Sequence, residues 1–291
     1  MQPSLTGSVQ PAQLSERQRQ ALISLLADED PDVYRTIRAK LLSYGATAEQ
    51  WLRPETLSAD PLLRRRAKDI LHSRARERSH ERFLEFCRGA GEELDLEAGV
   101  FLLSATRHPE INPSAYIALL DMWGADIASR TARLAADEAR LGELNRFVFG
   151  ELRFDGSLLY SQEPDCCYLS SIIDKRVGNP IGLCAIHLFL ARRAALPICG
   201  INMPGHFLCR YQTARSEIYL DCFQRGAFRS RADCIRQLQQ MNHPAPEVHF
   251  TPATPRQILL RMCRNVVTTY GHLESGDEAG RAAQYVEALA R

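Results

Sequence analysis

Apolar residues four apart recur twice near the N-terminus. The first set is Asp30-Pro31-x-Val33-x-x-x-Ile37-x-x-x-Leu41 and the second, thirty residues on, is Asp60-Pro61-x-Leu63-x-x-x-Ala67-x-x-x-Leu71. In each, Asp can cap a helix and Pro suits its first turn, after which the apolar positions form one stripe. The repeat predicts HEAT-like helical pairs over 14–82. Residues 1–13 are polar and carry Pro3, Gly7 and Pro11, which predicts a flexible tail.

The helical pattern continues through Phe83, Leu84, Phe86 and Cys87 and breaks at Gly89-x-Gly91. Asp95–Ser104 follows, Asn112-Pro113 opens another helix, and Ala128–Asn145 reads as one long Ala/Arg/Leu helix. After Phe147 the pattern changes. Gly178-Asn179-Pro180 leads into a strongly apolar helix over Ile181–Ala194. Two β-like segments, Ile198–Tyr211 and Glu217–Phe223, flank Gln212–Ser216 and predict a hairpin. A helix over 229–241, a Pro-rich linker from His243 to Pro255 and two antiparallel helices over 255–290, broken between Gly271 and Gly276, complete the chain. The expected class is α+β, mostly helical, with a buried helix and a small antiparallel sheet in a region spanning 83–245, closed by a helical pair in 255–291.

Composition narrows the function. In 291 residues, 45% are hydrophobic and 24% charged, enough for a sizeable core. The net charge of +1 offers no global field for nucleic acid or a membrane. Eight basic residues between Arg64 and Arg82 face three acidic ones, but no aromatic residue interleaves them. The run is therefore expected to be a solvated face with local Glu–Arg pairs, and no nucleic-acid partner is expected. No apolar run approaches the ~20 residues of a membrane span, and the N-terminus lacks a secretory pattern, so a cytoplasmic location is expected. The nine cysteines then read as thiols. No phosphate or dinucleotide loop is present, so no cofactor is expected.

The chemistry concentrates in Tyr168–Asp221. With the hairpin turn between Thr213 and Ser216, Asp221 lies opposite Leu208, and His206 sits two residues along the same face. The carboxylate can then fix the His206 tautomer, which is half of a nucleophile–His–Asp triad. Pro204-Gly205 before His206 reads as a turn with a positive φ or a crowded Cβ position at Gly205. Cys184-x-x-His187 and His206-x-x-Cys209 have zinc-like spacing, but strand alternation separates His206 from Cys209, so no metal is expected.

Arg176-Val-Gly178-Asn-Pro180-Ile, Ala195-Leu196-Pro197, Pro204-Gly205-His206-Phe207-Leu208 and Leu220-Asp221-x-Phe223 resemble the bacterial SirB-type family of the transglutaminase/papain-like superfamily. Leu144-Asn145-x-Phe147-x-Phe149-x-Glu151-Leu152-x-Phe154-x-Gly156 and Pro164-Asp165-x-x-Tyr168-Leu169 agree with it. The resemblance covers about 90–290 and implies a transglutaminase-like core over 83–245 with a tetratricopeptide-like pair at 255–291. It also implies a Cys at the start of the core helix, then His and Asp at His206 and Asp221. Here Pro180 stands at the nucleophile position. Cys184, one turn deeper, is the nearest thiol, with burial expected to raise its pKa. Cys166 and Cys167 could approach from the preceding loop. The leading expectation is a non-catalytic interaction or regulatory module with an unidentified protein or peptide partner. The alternatives are a thiol-dependent amidase, protease or transamidase using Cys184, His206 and Asp221, and a peptide or small-molecule pocket anchored on His206.

Overall fold

The computed structural model of the chain describes residues 14–157 and 163–291; the tail expected over 1–13 lies outside them. The chain divides into two units, the first ending at Arg78 and the second running from Ser79 to Arg291. Among the described residues no helix is long and apolar enough to cross a membrane.

The first unit holds α1 (Glu16–Ser24), α2 (Pro31–Ser43), α3 (Ala46–Glu55) and the first part of α4 (Pro61–Arg88). Both Asp-Pro starts behave as their chemistry dictates. Asp30 accepts from the Asp32 amide at 2.8 Å, and Asp60 from the Leu62 amide at 2.8 Å. Ile37, Leu41, Leu52, Ala67 and Ile70 form the core between these helices. The basic run does more than face solvent. Arg66 is buried and donates to the carbonyls of Leu26 and Asp28, while the buried Glu49 receives Arg74 at 3.6 Å and Arg78. Sequence spacing suggested local pairs; tertiary packing supplied a carboxylate from another helix. The apolar stripes on either side of Arg78 also belong to one 28-residue helix, since neither Gly nor Pro interrupts the chain between Leu62 and Arg88.

The second unit contains the rest of α4, then α5 (Leu96–Arg107), α6 (Pro113–Thr131) and α7 (Asp137–Asn145), which runs into a π-helical turn at Arg146–Glu151. The single helix expected over Ala128–Asn145 is thus two. Asp137 and Glu138 supply the negative charge that suits a new helix start. Asp137 is also held from outside, by the Tyr211 hydroxyl at 2.7 Å and Ser216 Oγ at 2.8 Å. These bonds, the Tyr211 one foremost, lower its pKa and pin the α7 start to the later hairpin.

β1 (Asp155–Gly156) is followed by α8 (Leu169–Lys175) and pairs in parallel with β2 (Val177–Gly178). Next come α9 (Pro180–Arg193), β3 (Ile198–Ile201), β4 (Leu208–Gln212), β5 (Glu217–Asp221), β6 (Ala227–Arg229), α10 (Arg231–Gln240), α11 (Pro255–His272) and α12 (Gly276–Ala290). The sheet is antiparallel throughout, in the order β3-β4-β5-β6. The β-like segment Ile198–Tyr211 is therefore two strands, pairing Ile201 with Leu208 and Ile198 with Tyr211. An apolar run of strand-forming residues hid the reversal; Pro204 and Gly205 make it. The segment His243–Pro255 is more than a linker. It forms a short 3₁₀ turn that buries Phe250, whose carbonyl accepts from Arg210 at 2.6 Å.

Up to Ala191, α9 is apolar around its circumference apart from one histidine and packs among α6, α8, α11, β3 and β4, while Arg192 and Arg193 close its last turn. Its only histidine, His187, is wholly buried, with Nε2 3.1 Å from Asn145 Oδ1 and no partner at Nδ1 among the described residues. Burial drives its pKa down to about 4. In the unfolded chain the same ring titrates near ~6.5. The neutral form is therefore the one folding favours: its stabilisation is complete above ~6.5 and is lost as pH falls toward 4. Between pH 7 and 5 this residue should cost about 2 kcal/mol of stability. His187→Gln, which removes the titration, should flatten the acid slope of urea-unfolding midpoints; equal slopes in variant and native chain would refute the assignment.

Candidate functional site

β5 ends on Asp221, which is fully buried. Its Oδ1 accepts from His206 Nε2 at 3.0 Å and from the Gln224 amide at 3.3 Å, and Arg229 Nη2 lies 3.5 Å from Oδ2. The charge is thereby held in place in a position where an unpaired carboxylate would be costly. The β4–β5 register, pairing Cys209 with Leu220, continues to Leu208 opposite Asp221. His206 itself is not on a strand, as expected from the sequence, but in the turn before β4, where its amide bonds the Met203 carbonyl at 3.2 Å. The turn depends on Gly205, whose φ is +71° and whose missing Cβ would sit 2.2 Å from Met241 Cε.

Pro180 occupies the first turn of α9. Asn179 caps it by accepting from the Gly182 amide at 2.8 Å. The α9 start and the Gly205–Phe207 turn form two walls of a cavity of about 530 Å³. The third wall is α11, which contributes Arg261, Asn265, Thr268, Thr269 and His272. Sequence reading missed this wall. The signal was present as a polar stripe at positions 261, 265, 268 and 272 on an otherwise amphipathic helix. Arg261 ties α11 to the turn by donating to Asn202 Oδ1 at 2.8 Å, and its burial lowers its pKa.

Cys184 is fully buried and does not line the cavity; its Sγ donates to the Phe207 carbonyl at 3.5 Å. It meets two other buried thiols, Cys209 and Cys222, the three sulfurs lying within 4.8 Å of one another. Burial opposes ionisation of Cys184, but hydrogen bonds from Cys209 and Cys222 and the His206 charge outweigh it and bring the thiol down to about 5. Cys209 and Cys222 move up, through burial first and then through Cys184. Burial acts to raise all three thiols, as the sequence led one to expect, while the neighbouring donors that favour ionisation at Cys184 come from elements the sequence did not place there.

Cys166 and Cys167 also pack inward. Cys167 Sγ lies 3.5 Å from Thr269 Oγ1 and 3.6 Å from Asn179 Nδ2, behind two residues of the cavity wall. Hydrogen bonding from Cys166 lowers the Cys167 pKa. The zinc-like spacings separate in space: His187 turns to Asn145, His206 to Asp221, and Cys184 and Cys209 to each other and Cys222. Arg176 is structural. It adopts φ 60° and places its guanidinium 4.7 Å from the Trp123 ring centroid and 4.8 Å from that of Phe154, fixing the loop that enters α9.

Gly205→Ala should cost about 1–2 kcal/mol for the left-handed φ alone. Met241 must move as well. Urea unfolding should register that loss, and the His206 ring NMR signals should shift; an unchanged midpoint and unchanged ring signals would contradict the role given to this turn.

Residues 114–264, just over half the chain, match the family model described as the transglutaminase-like superfamily. A UPF0162 protein of Xylella fastidiosa (strain Temecula1) is 27% identical over 205 residues, covering 67% of this chain and 72% of its own. A UPF0162 protein of Pseudomonas aeruginosa is 30% identical over 168 residues, 56% of this chain and 60% of its own. Protein SirB1 of Salmonella typhimurium is 27% identical over 89 residues, 31% and 33% respectively. No solved structure matches. The matched region holds α9, the sheet, His206 and Asp221, and the chain belongs to the transglutaminase-like superfamily.

Proposed function

We propose that this chain is a non-catalytic transglutaminase-like protein, an interaction or regulatory module whose cavity binds a peptide or small molecule against His206. One observation carries the reading: the first residue of α9, on the cavity wall with His206, is Pro180. A helix start is where the backbone dipole, equivalent to about half a positive charge, would favour a thiolate. Proline has no nucleophilic atom and fits that position for conformational reasons alone. Cys184 lies four residues on, ~6 Å along the axis, with no exposed surface. The cavity wall offers Arg261, His206 and His272 and no carboxylate among its lining residues. That donor set suits a carboxylate- or amide-bearing ligand such as a peptide.

One observation favours the second reading, a thiol-dependent amidase, protease or transamidase using Cys184, His206 and Asp221: Cys184 Sγ lies 3.5 Å from the carbonyl of Phe207, the residue next to His206. Accessibility separates the two readings. Burial rather than ionisation should limit the reaction of Cys184: in the native chain iodoacetamide should label it slowly at neutral pH, as read by peptide mass mapping, and His206→Ala should leave that access-limited rate unchanged. Pro180→Cys should create a thiol at the helix start that reacts at least about tenfold faster than Cys184. That gain should fall away in Pro180→Cys/His206→Ala. Rapid native labelling of Cys184 that collapses in His206→Ala would replace the binding module with the thiol enzyme.

A further inference from the structure

Outside the cavity, the most concentrated chemistry is the meeting of Cys184, Cys209 and Cys222. We propose that these three thiols form a binding site for one thiophilic d¹⁰ metal ion, Zn(II) or Cu(I). The sulfurs lie within 4.8 Å of one another, and Cys209 and Cys222 are 3.8 Å apart. Metal–thiolate bonds of ~2.3 Å require sulfurs about 3.8–4.0 Å apart, whether the ion sits in their plane or slightly above it. Closing the present triangle around an ion thus needs shifts of under about 1 Å, within the reach of χ1 adjustments.

The three residues come from different elements, and each is fully buried. Cys184 is mid-α9, Cys209 is in β4, and Cys222 opens the 3₁₀ turn after β5. Such convergence is the preorganisation a metal site requires and that three independently packed cysteines do not. Soft sulfur ligands with no carboxylate in the set select Zn(II) or Cu(I) over hard cations. All three residues are 0% exposed, so the ion would be captured as the chain folds and would exchange slowly. Binding takes thiolate ligands and releases protons, so affinity should rise with pH. Cys222 directly follows Asp221, and Cys209 lies three residues after His206. An ion here would therefore stiffen both backbones that carry the cavity's His–Asp pair.

The test uses the full chain, expressed in medium supplemented with zinc or with copper and purified under reducing, anaerobic conditions. Metal content by plasma mass spectrometry should approach one Zn(II) or one Cu(I) per chain, and X-ray absorption on the native protein should show three sulfur neighbours. Cys209→Ala and Cys222→Ala should each lower occupancy at least tenfold, while Cys87→Ala should not. The two supplements distinguish the ions, and either one bound through three sulfurs supports the site. Substoichiometric metal under both supplements would overturn the proposal, as would a sulfur-bound ion that persists in Cys209→Ala. The native-protein absorption spectrum decides the matter even if the alanine variants fail to fold.

Discussion

From Ile181 to Ala191 helix α9 is apolar around its circumference apart from His187, so that stretch can persist only when every face is covered. Helices α6, α8 and α11 and strands β3 and β4 supply that cover. Each buried Leu, Ile or Phe side chain contributes about 1.5–3 kcal/mol relative to exposure. The same burial fixes the helix in rotation and depth. Its start then lies beside the Gly205–Phe207 turn, its middle delivers Cys184 to the thiols of Cys209 in β4 and Cys222 just after β5, and His187 faces Asn145. The cavity, the thiol cluster and the acid-sensitive histidine are three consequences of one packed element.

The His–Asp pair is held by a different means. Asp221 is positioned by strand pairing on one side and by Gln224 and Arg229 on the other, and His206 by a turn that only a residue tolerating φ +71° allows. Neither arrangement draws on a thiol. The geometry of a hydrolytic triad's second half is thus compatible with Pro180 at the helix start, where conformational fit replaces chemistry. Under the proposed reading, the half-buried His206 imidazole, oriented by Asp221, recognises a carbonyl or carboxylate without cleaving it.

Much of this was legible in the chain. Pro180 at a helix start follows from its fixed φ and the Asn179 cap, and the pairing that brings Asp221 opposite Leu208 follows from the position of the Thr213–Ser216 turn. Other features were hidden for physical reasons. Periodicity cannot see a reversal within an apolar β-rich run, so the Ile198–Tyr211 segment read as one strand and His206 as a strand residue. An Ala/Arg/Leu composition gives no warning that α6 stops at Thr131, because the new start at Asp137 is fixed by Tyr211 and Ser216 far along the chain. The thiol cluster and the partnership of Glu49 with Arg74 and Arg78 are likewise products of tertiary packing, which no local spacing encodes.

The central claim is that the cavity binds without forming a covalent intermediate. The direct measurement is intact-mass spectrometry of the acid-quenched chain after incubation with glutamine-containing peptides, with and without a primary amine. The account predicts an unmodified mass in every case. A peptide-acyl adduct formed with loss of ammonia, mapped to Cys184 or Cys167 and absent in His206→Ala, would contradict it.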